Sequence, residues 1–335
     1  MFKRIVLASA AVAALSVSPV KAEETTILNA SYDISRELFA AITPKFVEHQ
    51  KAAGKEVKVD LSFAGSSRQA QDIIQGKKVD TVTFNQVTDI DILAKRGIVK
   101  SDWQQAFPNN SSPYYSTIAF LVRKGNPKNI KSWDDLVRDD VKVVFPNPKT
   151  SGNARYSYLG AWLYADEEFK GDDAKVKEFV GKLLRNVVNF PTGGRAATVA
   201  FAQNEQGDAL LTFESEVINI ARSAEYESHG FEVVVPPVSV LAEFPVAVVD
   251  KVVDSRDSRT VATDYLNFQY TKEIQELLTT FNYRVHHPEV LEAVKNQYAP
   301  LRTIDPTKIL GSWDDIQQTH FATNGVLDEL LAQRR

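Results

Sequence analysis

The chain has 335 residues, 44% of them hydrophobic and 24% charged, the balance of a soluble globular protein with room for roughly two domains of about 150 residues each. It has no cysteine, which excludes disulfides, thiolate metal sites, iron–sulfur ligation and cysteine nucleophiles together. With 39 Lys and Arg against 43 Asp and Glu the net charge is −4, which argues against nucleic acid as a partner, because such a partner calls for a basic face.

Lys3 and Arg4 precede an uncharged apolar stretch from Ile5 to Val17, and Val20-Lys21-Ala22 places small residues at cleavage positions. This pattern predicts a secretory signal peptide over 1–22, cut after Ala22. The stretch is shorter than the ~20 residues a membrane span needs. Cleavage would also remove Met1, the sole methionine, leaving a mature chain without a sulfur atom. An exported, acidic chain without disulfides points to the bacterial periplasm.

Thr25 to Tyr32 alternates and predicts a strand, and Ser35 to Ala53 predicts a helix interrupted at Pro44. Glu56–Phe63 and Val79–Phe84 predict strands, Ser67–Gln75 and Val87–Arg96 helices. This βαβαβα run predicts a parallel sheet covered on both faces. Tyr115–Val122 predicts a long apolar strand that opens a second such unit. Strands at Val141–Phe145, Val187–Phe190, Ala209–Phe213 and Phe231–Val235 follow, with helices between, the first from Gly152 to Ala165. Leu241–Val249 is a last long strand broken by Pro245, and from Ser258 the pattern is helical, ending in a polar tail.

No Gly- or Ser-rich linker separates the halves, so the chain predicts two α/β lobes hinged by crossing strands, with a cleft that can close on a ligand. The expected division is 23–114 with 246–320 as the first lobe, 115–245 as the second, and 321–335 as a C-terminal tail.

Ligands of open α/β sheets sit beyond the carboxyl ends of the strands. Three strand-to-helix turns there share one design: Ala64-Gly65-Ser66-Ser67-Arg68-Gln69, Lys149-Thr150-Ser151-Gly152-Asn153-Ala154 and Thr192-Gly193-Gly194-Arg195-Ala196-Ala197. Small residues let the backbone approach a ligand, and the first N–H groups of a helix have no internal partner and sit at the positive end of its dipole. Ser, Thr and Gly are equally the preferred residues for capping a helix, so each turn alone reads either way. Three together, drawn from both lobes, point to a shared anion site.

There is no phosphate loop, no dinucleotide fingerprint and no nucleophile elbow, and none of the five histidines forms a His-x-x-x-His pair. The acid pairs Asp134-Asp135, Asp139-Asp140 and Asp314-Asp315 read as helix starts and turns. The reading is a non-enzyme with no cofactor and no metal.

Several segments carry a resemblance. Ser31-Tyr32-Asp33-Ile34-Ser35-Arg36-Glu37-Leu38, Ala64-Gly65-Ser66-Ser67, Phe120-Leu121-Val122-Arg123-Lys124-Gly125-Asn126-Pro127-Lys128, Asn147-Pro148-Lys149-Thr150-Ser151-Gly152-Asn153-Ala154-Arg155-Tyr156 and Thr192-Gly193-Gly194-Arg195 resemble the periplasmic sulfate/thiosulfate-binding proteins. Asn85-Gln86-Val87-Thr88-Asp89, Asn109-Asn110-Ser111-Ser112-Pro113, Phe213-Glu214-Ser215-Glu216 and Ala242-Glu243-Phe244-Pro245-Val246-Ala247 are similar to the thiosulfate-binding branch.

The resemblance implies a periplasmic binding protein (type II) fold. It implies a monomer that delivers a dehydrated oxyanion, held by neutral donors, to the membrane subunits of an ABC importer. Carried over by position, it implies backbone N–H donors at Ser66, Gly152, Asn153 and Gly194, and a hydroxyl donor at Ser151. Asp33 would orient the donors, while Arg195 and Arg68 balance charge without touching the ligand. Phe213 stands where the sulfate branch carries tryptophan. Phenylalanine removes an indole donor and offers a ring to the soft sulfur of thiosulfate. Ala196, Val199 and Ala200 depart from the branch and bear on the third turn. Two alternatives remain at this point: another tetrahedral oxyanion such as molybdate or phosphate, or a secreted enzyme acting on sulfated or phosphorylated compounds.

Overall fold

The computed structural model describes residues 24–334, so the predicted signal peptide and its cleavage point lie outside it. The first six elements follow the predicted order: β1 (Thr25–Ser31), α1 (Arg36–Ala52), β2 (Val57–Phe63), α2 (Ser66–Ile74), β3 (Thr81–Thr83) and α3 (Val87–Lys95). β1 lies between β2 and β3 and is parallel to both. The expected interruption at Pro44 does not occur. A proline forfeits one backbone hydrogen bond, but Leu38, Phe39, Ile42 and Phe46 are buried along one face and carry α1 past it.

The chain then crosses to the second lobe. The predicted strand Tyr115–Val122 is in fact two strands in two sheets, β4 (Tyr114–Ser116) and β5 (Ile118–Val122), parted at Thr117. Thr117 braces this joint: its hydroxyl donates to the Val240 carbonyl at 2.7 Å, and its carbonyl accepts from the Glu214 N–H at 2.8 Å. Next come β6 (Val143–Val144), α4 (Gly152–Glu168), α5 (Asp173–Asn186), β7 (Val187–Asn189) and α6 (Gly194–Thr198), which continues unbroken into a wider turn over Val199–Gln203. β8 (Ala209–Phe213), α7 (Glu214–Arg222) and β9 (Glu232–Val234) complete the lobe, with strand order β7-β6-β8-β5-β9.

β10 (Val238–Val240), β11 (Ala242–Phe244) and β12 (Val246–Val248) lead back. Pro245, which has no N–H for a ladder, parts the predicted strand Leu241–Val249 into β11 and β12. β12 joins the first sheet beside β3, while β11 pairs with β4, which also pairs with β13 (Arg284–Val285), making a small antiparallel sheet at the joint. Helices Asp250–Arg256, Arg259–Phe268 and Lys272–Thr280 return to the first lobe, where Tyr265 meets Phe46 edge-on.

Two expectations are corrected. Neither sheet is wholly parallel: β5 runs antiparallel to β8 and β9, and β12 antiparallel to β3. Those strands enter straight from the joint, without the crossover that a parallel neighbour requires. The second concerns the C-terminal end, where the chain crosses a third time. β14 (Arg302–Ile304) pairs parallel with β10, and α8 (Trp313–Ile316), a wide turn Gln317–Phe321 and α9 (Val326–Ala332) follow, with α9 packed on α5. β14 and α9 thus side with the second lobe, while α8 touches α3 of the first and Asp314 pairs with Lys95, and residues 326–332 form a packed helix where the sequence reads a tail. Ile316, Phe321, Leu327 and Leu330 are buried, the last two in a seven-residue, largely apolar helix. The acid pairs behave as read: Ser132 with Asp135 and Ser312 with Asp315 form reciprocal capping boxes.

Where the lobes meet, the core is aromatic. The ring of Phe244 lies 4.8 to 5.3 Å from those of Phe213, Tyr114, Tyr32 and Tyr283. The Tyr32 hydroxyl donates to Tyr283 at 2.9 Å and shares a hydrogen bond with Tyr114 at 3.1 Å.

Candidate functional site

The three turns open α2, α4 and α6, and the fold brings them to one place. Gly65, Ser151 and Gly193 are the residues just before the helices, so Ser66, Gly152 and Gly194 supply the first helical N–H of each. The backbones approach so closely that side chains would collide. A Cβ on Gly65 would lie 2.7 Å from the Thr150 carbonyl oxygen, one on Gly152 would strike Asn85 and Gln86, and one on Gly193 would strike the Asp33 carboxylate. The Thr150 hydroxyl donates to the Thr192 carbonyl at 2.9 Å, which ties the second turn to the third.

Polar side chains between these turns are neutral and buried. Ser66, Ser151 and Asn153 are all within 1% of full burial. The Ser66 hydroxyl donates to Asn85 Oδ1 at 2.7 Å and accepts the Asn85 N–H at 3.1 Å, so it is occupied within the protein. Asn153 Nδ2 donates to Thr212 Oγ1 at 2.6 Å, which anchors the start of α4 to the end of β8. Ser151, although it precedes the helix, makes no side-chain cap to it.

Asp33 Oδ2 accepts the Arg195 N–H at 3.1 Å, which joins the first lobe to the third turn. Burial raises the Asp33 carboxyl above its ordinary value, opposed by backbone N–H groups of Arg195 and Ile34. The nearby guanidinium groups are engaged elsewhere: Arg195 Nη2 donates to both Glu37 oxygens at 2.8 and 2.7 Å, and Arg68 Nε donates to Asp72 at 2.8 Å. Outside the turns a cleft of roughly 500 Å³ opens between Asp33, Gly65, Arg68, Thr150, Gly193 and Arg195. Converging helix N-termini with neutral donors, and cations held at the rim by carboxylates, suit a small anion stripped of water. Among the described residues no group of three or more His, Asp or Glu is placed to hold a metal ion.

Residues 29–284 match the bacterial extracellular solute-binding protein family. The chain belongs to that family. Two curated relatives are a thiosulfate-binding protein of Escherichia coli, 51% identical over 93% of each chain, and a sulfate-binding protein of the same organism, 39% identical over 94% of this chain and 96% of that one. Among solved structures, the sulfate-binding protein SubI from Mycobacterium tuberculosis matches with a TM-score of 0.79 and 31% identity, covering 89% of this chain and all of that one. Solute-binding proteins are carriers and not enzymes, so the enzyme alternative falls.

In this solute-binding protein the residues singled out from the sequence divide into two sets. Ser66, Ser151, Gly152, Asn153, Gly194 and Asp33 gather around the three turns. Phe213 is fully buried at the end of β8, 4.8 Å from Phe244 and 6.1 Å from Tyr156, so its ring belongs to the aromatic joint beneath them. Ala196 and Val199 line the outer cleft, whereas Ala200 is buried beneath.

Several participants carried no individual signal. Asn85, at the fourth strand-to-helix turn, holds the Ser66 hydroxyl. Arg155 and Asp89 form a buried ion pair at 3.1 Å between α4 and α3, with the Arg155 guanidinium also on Thr88 and the Ser67 hydroxyl donating to Asp89 at 3.0 Å. Arg155 lies four residues after Ser151, on the same helix face, and like Asn85 and Asp89 it falls inside a segment that carries the resemblance. Its partner lies across the cleft and is visible only in three dimensions.

Proposed function

We propose that this protein is the periplasmic binding component of an ABC importer and that its ligands are thiosulfate and sulfate. The observation that carries the reading is the convergence of three helix N-termini from both lobes on one spot lined by buried neutral groups, in a chain 51% identical to a thiosulfate-binding protein. The backbone N–H groups of Ser66, Gly152, Asn153 and Gly194 and the hydroxyl of Ser151 hold the oxyanion, and Asp33 orients the third turn through Arg195. Sulfate and thiosulfate carry no proton near neutral pH, so a pocket of donors satisfies them. Phosphate still carries a proton near pH 7 and needs an acceptor. Asp33 already accepts from Arg195, which weighs against phosphate.

Phe213 follows Thr212, the residue that holds Asn153, and puts no indole donor at that end of β8; one donor fewer favours thiosulfate, whose larger sulfur accepts poorly, because a buried donor left without a partner costs about 1–3 kcal/mol. Secretion by the signal peptide 1–22 places the protein where such ions arrive. Among the described residues no helix is long and apolar enough to cross a membrane. The protein acts as a monomer of two lobes, built on 23–114 and on 115–245, with the chain after 245 returning to the first and its last segment touching both. Closing the lobes assembles the donors, and with no ligand ion pair to break, reopening at the importer releases the anion.

Calorimetry on ligand-free protein tests this reading, with one thiosulfate bound per chain as the expected result. Neither heat nor a rise in melting temperature with thiosulfate or sulfate would refute it. Tighter binding of phosphate or molybdate in competition would redirect it to that ion.

A further inference from the structure

The C-terminal segment grips the second turn. Lys149, two residues before Ser151, turns its ammonium to the C-terminal segment. Its Nζ lies 2.8 Å from Asp328 Oδ1 and donates to the carbonyls of Phe321 at 3.2 Å and Ala322 at 3.5 Å. All three partners lie within 321–328, and the two carbonyls are at the end of a helical turn, where the dipole favours a cation. The Lys149 backbone N–H donates to Asn147 Oδ1 at 2.9 Å, so the residue is held at both ends. A second hold runs through Arg155, whose guanidinium lies 5.4 Å from the Phe321 ring and donates to the Pro148 carbonyl at 3.1 Å.

The segment is itself well anchored. His320 Nδ1 is hydrogen-bonded to the Tyr158 hydroxyl at 2.9 Å, its ring sits 4.6 Å from that of Trp162, and Leu327 and Leu330 are buried.

We infer that Lys149 is a positioning residue through which residues 321–328 hold the turn that presents Ser151, Gly152 and Asn153. The inference rests on the anion reading of those three residues. Donors already fixed in place lose less conformational freedom on binding, so a tethered turn binds more tightly than a free one. Two roles of Lys149 predict opposite signs at Asp328. If the ammonium acted only by its charge on the anion, removing the negative charge of Asp328 would strengthen binding. If it acts by holding the turn, the same change loosens the tether and weakens binding.

The test is calorimetry of sodium thiosulfate at fixed ionic strength on the full mature chain and on K149Q, K149R, D328N and the double variant K149Q/D328N. Amide hydrogen exchange of the peptide covering 149–154 is followed in each protein without ligand. Removing the tether at Lys149 is expected to raise Kd by about tenfold, the scale of one hydrogen-bonded charged contact. D328N should raise it less, K149R should recover most of the loss, and the double variant should bind no more weakly than K149Q. Exchange over 149–154 should quicken in K149Q and D328N. Tighter or unchanged binding by D328N, or unchanged exchange in K149Q, would overturn the inference. A wild-type protein that binds neither thiosulfate nor sulfate would instead refute the anion reading, and the exchange comparison would still report on the tether.

Discussion

Two ion pairs bridge the same cleft, each beside an anion turn, and they differ in one respect. Arg155 and Asp89 are 10% and 4% exposed, whereas Arg195 and Glu37 are 47% and 59% exposed. For the outer pair, water screens the attraction and the long side chains lose entropy, so it contributes about 0–1 kcal/mol. The inner pair has forfeited its hydration, and burial pushes the Asp89 carboxyl up despite Arg155 and Ser67 drawing it down. Its net contribution is small compared with the damage from removing one partner. The outer pair is a contact that a moving lobe can make and break, while the inner pair requires the lobes to fit.

The largest expected effect follows from the inner pair. Arg155→Met should destabilise the protein by about 3–5 kcal/mol, measured by chemical denaturation, because Asp89 is left buried without its cation. Replacing Asp89 with Leu as well should recover much of that loss. A loss in R155M as small as that of an exposed pair would erase the distinction between the two sites. Ser151→Ala comes next. It should weaken thiosulfate binding by about 1–3 kcal/mol in calorimetry and leave the unliganded melting temperature nearly unchanged.

The outer site also makes a pH prediction. Glu216, whose charge interacts with Arg195, is pushed by burial from an ordinary 4.5 to about 7. Across that window the folded state holds a proton that the unfolded state has released, so this group costs stability as pH rises from 4.5 to about 7, with no further cost above. Melting curves between pH 4.5 and 8 should therefore show the wild type falling relative to Glu216→Gln, and parallel curves would remove Glu216 from the account. The smallest effect is expected for Glu37→Gln, below about 1 kcal/mol in unliganded stability and reduced further by salt. A loss equal to that of R155M would mean that exposure is the wrong measure of the difference.

The extent to which the sequence foretold each feature follows the range of the interaction. The three turns were legible because helix N-terminal chemistry is local: Gly65-Ser66, Ser151-Gly152 and Gly193-Gly194 mark their own helix starts. The break at Thr117 is hidden in the sequence because a continuous apolar run looks alike whether it serves one sheet or two, whereas the break at Pro245 is legible, since proline has no N–H for a ladder. The C-terminal end reads as a tail although Val326–Ala332 is a short, largely apolar helix, because nothing local says what would bury Leu327 and Leu330. Their partners are on α5, more than a hundred residues earlier.

The sequence by itself determined the alternation of strand and helix, the places where the backbone offers unpaired N–H groups, and the absence of sulfur chemistry. These depend on residue type and short spacing, which any local stretch of chain displays. Only the tertiary structure decided that the three turns meet, that Arg155 finds Asp89 across the cleft, and that Lys149 is held by the last residues of the chain. Those contacts join positions 42 to 179 residues apart, and their existence depends on how the chain packs, which no local pattern encodes.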